Sequence, residues 1–226
     1  MMNRFLSRLP LTFFALTVVI TVLSWVGNVY EWGVNNLLCA DGIRWAVANI
    51  IYNFTDSPIG EIILLLLSLS VLTESGFLTF WRKSAKSIKQ KRAMQITIVA
   101  IVVYCLTIFC LLFTSHAVLL SAFGTIHDSA FQQGAYGLLL LGIIIVGNLY
   151  GYFSGTFSSV KDSVSAHTSL ILRISPYFVT AFVASEFVGS MYYVFEIGDG
   201  MSALINFMVF YVPLFLYLAD LYHRKP

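Results

Sequence analysis

The sequence predicts an all-α membrane protein of six transmembrane helices plus a short interfacial helix, with both termini in the cytoplasm. Three observations carry this prediction. Hydrophobic residues make up 58% of the chain and charged residues 11%, with a mean hydropathy of +0.84. Soluble domains carry roughly a quarter charged residues, so this surface is built for a solvent other than water. Apolar runs recur at lengths of about 20 residues, which at ~1.5 Å per residue cross a bilayer core. Finally, lysine and arginine fall almost entirely on one side of those runs, as short cytoplasmic loops require.

Taken in order, the first span runs from Leu11 to Trp32 and the second from Pro58 to Trp81, interrupted by Glu61 and Glu74. The third goes from about Met94 to Ala117, the fourth from Gly134 to Phe157, the fifth from about Ile174 to Phe195 and the sixth from Met201 to Ala219. Gly42 to Thr55 is too polar to cross and reads as an amphipathic helix in the headgroup region, with Arg44, Trp45 and Tyr52 suited to that layer. Ser57 and Pro58 read as a capping residue and a first-turn proline for the second span. With the N-terminus inside, Arg4, Arg8, Arg82, Lys83, Lys86, Lys89, Lys91, Arg92, Lys161, Arg173, Arg224 and Lys225 are all cytoplasmic, and only Arg44 is outside. The loop 121–133 lacks lysine and arginine, and Glu196 to Gly200 carries only acids, as outer loops should. The basic run 82–92 is read as an anchor against anionic lipid, and no nucleic-acid partner is expected. Arg4 and Arg8 ahead of an apolar stretch also fit a signal peptide, but no small-x-small cleavage site closes it. Residues 1–226 are read as a single transmembrane helical domain.

Few side chains stand out as candidates for function. Glu186 falls near the middle of the fifth span, about 15 Å deep, where an ionised carboxylate costs at least ~2.5 kcal/mol. It must be protonated, paired or turned to a wet cavity, and Ala181, Ser185 and Gly189 form a small-residue stripe beside it. A functional carboxyl and a protonated packing residue both fit this position. Glu74 and Asn148 complete the candidate intramembrane polar site. Gly147, Gly151 and Gly155 recur every fourth residue of the fourth span and, with Gly189, are read as helix-packing positions. Enzyme signatures are missing: there is no His-Glu-x-x-His, and His116, His127, His167 and His223 are not at zinc-site spacing. Cys39, Cys105 and Cys110 form neither a disulfide framework nor a metal motif. No catalytic residue, metal or cofactor is expected.

Three stretches resemble the aminobenzoyl-glutamate transporter (AbgT) family. Leu37 to Trp45, followed by Asn53-Phe54-Thr55-Asp56-Ser57-Pro58-Ile59-Gly60 and Glu74-Ser75-Gly76-Phe77, is similar to that family's N-terminal pattern. Gly147 to Val164 resembles its Tyr-Gly-x-x-x-Gly-Thr-x-x-Ser-x-Lys-Asp signature, and Phe182 to Phe187 its Phe-x-Ala-x-Gln-Phe pattern, with Glu186 in place of glutamine. The resemblance covers about residues 10–200 and implies a shortened member. Family members are about twice as long and carry re-entrant hairpins with broken helices, and no span here shows the Gly/Pro interruption such hairpins need. What the resemblance implies is a scaffold or dimerisation core, or a reduced solute transporter. It would form a homodimer in a bacterial inner membrane, in contact with lipid and able to serve a separately encoded membrane partner. A small channel or pore-type effector, and a complete small carrier for an anionic solute such as p-aminobenzoyl-glutamate, are the alternatives.

Overall fold

In a computed structural model of the chain, residues 5–82, 87–113, 118–121 and 124–223 are described. Arg4, Lys83, Lys86, His116, Ala117, Arg224 and Lys225, named above, lie outside them. After a single 3-10 turn, Leu6–Arg8, the helices are α1 Leu9–Val29, α2 Ala40–Thr55, α3 Ile59–Glu74, α4 Phe77–Phe80, α5 Ile88–Phe113, α6 Ala130–Ser154, α7 Val160–Arg173, α8 Pro176–Phe195, α9 Asp199–Asn206 and α10 Val212–His223. A π-helical turn, Phe207–Tyr211, joins the last two. Among the described residues, six helical stretches are long and apolar enough to cross a membrane, and this is a multi-pass membrane protein. On α5, Val99, Val102, Val103, Leu106 and Phe109 are all exposed, which suits a face turned to lipid.

The second such stretch runs from Ala40 to Phe80, 41 residues, about twice what a bilayer needs. It is interrupted at Asp56-Ser57-Pro58, between α2 and α3. Proline cannot donate a backbone bond and disfavours helix in the residue before it, so α2 stops here. The Ser57 hydroxyl donates back to the Phe54 carbonyl at 2.6 Å, closing the end of α2 rather than capping α3. The last span is not plain either. Pro213 lacks the amide that the Val209 carbonyl would meet in a regular helix, and the backbone widens into the π-turn just ahead of it. The break before Pro58 falls where the sequence starts the second span; the expectation of uninterrupted spans is corrected at Ser75-Gly76, where Gly76 at φ +82° separates α3 from α4, and at the π-turn before Pro213.

The described chain divides into two compact units, Met1–Ile62 with Arg173–Pro226 and Ile63–Leu172. In the first, α1 and α8 lie side by side in the same direction, with Phe13 against Phe187 at 5.8 Å and Ile20 clustered with Val194. α2 runs the other way along α8: Trp45 stacks on Tyr193 at 4.4 Å and Phe54 meets Phe182 at 5.7 Å. The segment read as interfacial is therefore level with the end of α8 only at its start, and its far end lies beside the middle of α8. α10 returns along α8, where Tyr217 joins the Thr180 hydroxyl to the Leu6 carbonyl. In the second unit α5 and α6 are antiparallel neighbours, with Met94 near Tyr150 and the Tyr104 hydroxyl on the Leu138 carbonyl at 2.7 Å. α7 was not foreseen; its run of serine, threonine and charge reads as a loop, yet it packs on α3 through Ala166 beside Val71.

Candidate functional site: a polar cavity at a helix break

The face of α2 that meets α8 carries Trp45, Asn49, Asn53 and Asp56, spaced at three and four residues as one helical stripe demands. Gly189 is what lets this polar stripe approach. A Cβ there would fall 2.5 Å from the Asn53 side chain, so the bare backbone of α8 is the seat of the amide. Asn53 then donates through Nδ2 to Glu186 Oε2 at 3.2 Å. Glu186 Oε1 is buried and has no hydrogen-bond partner. Thr17 and Thr21 line the same groove as Glu186, but their hydroxyls are committed to the carbonyls of Phe13 and Thr17. The carboxyl thus depends on one amide for its polar company.

On the other side of Asn53 lies a cavity of about 160 Å³. It is bounded by Trp45, Asn49, Asp56, Ser185, Tyr192 and Asn206, among others, so amides, hydroxyls and one carboxylate are set among rings and apolar surface. Asp56 and Asn206 also border a neighbouring open chamber of about 570 Å³, which reaches Glu61, hydrogen-bonded to the Tyr211 hydroxyl at 3.1 Å. The π-turn supplies Phe210 to the first space and Phe207 and Tyr211 to the second. Both the α2–α3 break and the π-turn therefore face these spaces, as expected where irregular backbone sits at membrane depth.

The other candidates belong to the second unit and serve α7. Glu74 accepts from Ser169 at 2.8 Å. Asn148 accepts from Ser163 at 2.6 Å, donates to the Ile144 carbonyl at 3.0 Å and lies 3.3 Å from His167 Nε2. Because His167 Nδ1 faces the Ser163 carbonyl at 2.8 Å, the neutral ring with its proton on Nδ1 satisfies both contacts. Ser70 adds a third tie, giving its hydroxyl to the Ala166 carbonyl and accepting from the Leu170 amide. Gly147 abuts the α3 backbone at Val71 and Leu72, and Gly151 lies under the Phe157 ring. Gly155 packs on nothing; at φ +80° it ends α6 in the left-handed conformation. Among the described residues no three His, Cys, Asp or Glu side chains gather as a metal site would need.

Residues 81–194, half of the chain, match the AbgT transporter family. The chain belongs to the AbgT transporter family. No curated protein and no solved structure matches it. In this AbgT-family chain the matched stretch contains Glu186, Gly189 and Tyr192, while Asn49, Asn53 and Asp56 on α2 lie ahead of it. The family signature of α6 and α7 has a mechanical meaning here. Gly151 admits the Phe157 ring, Gly155 stops the helix, and Ser159 and Asp162 exchange bonds with each other's backbone amides to start the next. The sequence points to Glu186 but gives no site role to Asn49, Asn53 or Asp56. The signal was present: an asparagine pair four residues apart, in line with Trp45 and Asp56, is a polar stripe on a helix assigned to the surface.

Proposed function

We propose that this protein is a solute transporter of the AbgT family whose solute site is the cavity at the break between α2 and α3. One observation carries the reading: a polar cavity lies where two spans lose regular helix, one amide away from a carboxyl deep in α8. Discontinuous helices at mid-depth are how carriers present backbone and polar side chains to a solute. Membership in a transporter family supports the same conclusion. On this reading Glu186 and Asn53 act as a pair that shapes the site, whereas Glu74 and Asn148 hold α7. The protein works in a bacterial inner membrane as a homodimer, alone or with a separately encoded membrane partner.

Uptake into proteoliposomes tests this. Labelled p-aminobenzoyl-glutamate, glycine and methylammonium sample an anion, a zwitterion and a cation. At least one is expected to enter faster than into protein-free liposomes. Asn53→Leu is expected to slow that uptake by about tenfold or more, the value of one to two hydrogen bonds to a solute. Uptake of none, with a folded protein in the membrane, would leave a scaffold that moves nothing.

A further inference from the structure

We infer that the cavity takes a small organic cation, an alkylammonium, rather than an anion; this rests on its being the solute site. The wall contains Asp56 and no lysine or arginine, and the adjoining chamber adds Glu61, again without a base. An anion entering here would face the Asp56 carboxylate, with Glu61 in the next chamber, and no counter-charge, which is costly away from water. An ammonium would find one carboxylate and several neutral acceptors. Asn53 is set as one of them. Because its Nδ2 is held by Glu186, the Oδ1 is left as the free end, and no partner takes it among the described residues. Glu186 is in this sense a positioning residue, orienting the amide so that oxygen is presented to the solute.

Helix ends and rings point the same way. α2 terminates at the break, so the negative end of its dipole is directed there. The opposing positive end of α3 carries Glu61 in its first turn. Trp45, Tyr52 and Tyr192 bring three aromatic rings to the wall, and a ring face attracts an ammonium by about 0.5–2 kcal/mol depending on desolvation. Size sets the upper bound. A volume of about 160 Å³ is close to the ~150 Å³ that accommodates benzene, so a two- to four-carbon amine fits and a benzoyl-amino acid does not.

Equilibrium dialysis of labelled ethylammonium against the purified full chain in detergent, with propionate as the anion carrying the same ethyl group, is the test. Saturable ethylammonium binding, undisturbed by propionate, is expected. Asp56→Asn should weaken it at least about tenfold, the worth of ~1.4 kcal/mol, while Asp41→Asn, removing an exposed acid paired with Arg44, should leave it unchanged. Should Asp56→Asn not fold, Glu186→Gln serves: its amide lets Asn53 turn either way, and a several-fold loss is expected. Displacement of ethylammonium by propionate, or wild-type binding in both variants, would overturn the cation. Anion uptake that depends on Asn53 would overturn the cation and keep the site, whereas uptake of no probe would overturn the site itself.

Discussion

Gly147, Gly151 and Gly155, alike in spacing, are held by different physics, and substitution separates the last two. At Gly151 an added methyl would strike the Phe157 ring, whose amide is tied to the Gly151 carbonyl at 3.0 Å, so the ring cannot simply swing away. Overpacking of this kind costs about 1–3 kcal/mol. At Gly155 nothing lies in the way, but a φ of +80° penalises any L-residue by roughly 1–2 kcal/mol. Thermal unfolding in detergent should therefore show Gly151→Ala below Gly155→Ala. Gly155→Asn should recover part of the loss, because asparagine tolerates the left-handed region, while Gly151→Asn should be worse still. Equal midpoints for the two alanine variants would mean that both positions are packing sites of one kind, as their spacing alone suggests.

Between the helices, the capping of α7 carries a pH dependence. The Asp162 carboxylate accepts from the Ser158 amide at 2.9 Å, the Ser158 hydroxyl at 2.7 Å and the Ser159 amide at 2.9 Å. Those bonds favour the ionised form, first the Ser158 hydroxyl, and hold the carboxyl below its usual range. A lowered folded value means the cap is at full strength above the ordinary aspartate pKa and is lost as pH falls through the lowered one. Hydrogen exchange at Ser158 and Ser159 should therefore lose protection only in acid below about pH 4, and Asp162→Asn should flatten that profile. The same helix shows what the sequence withheld. The spans were legible because apolar length needs no partner to be recognised. α7 was not, because serine, threonine, aspartate and histidine read as loop until Ser70, Glu74 and Asn148 are placed opposite them. α2 was recognised as a helix but assigned to the headgroup layer, since its Asn49 and Asn53 look too polar for depth without Gly189 and Glu186 beside them.

For the whole molecule, the alternation of charge along the chain is the one feature that bears on which way the cavity loads. Arg8 precedes α1 and Glu31 follows it; Arg173 precedes α8 and Glu196 follows it; Asp128 precedes α6 and Lys161 follows it. Helix ends of one kind are basic and of the other acidic, the pattern left when basic segments stay where the protein is made. Trp45 and Tyr192, on the wall of the cavity, lie toward the acidic end of α8, so the expected orientation puts that end of the site toward the outside. Cysteine labelling of right-side-out vesicles decides it. With Cys105 and Cys110 replaced by serine, the exposed Cys39 should react with a membrane-impermeant maleimide, and Lys89→Cys, with Cys39 also replaced, should react only after permeabilisation. The reverse result would place the Trp45 end in the cytoplasm. A solute bound at Asp56 would then be one gathered from the cell, and the direction of net transport would have to be measured as export.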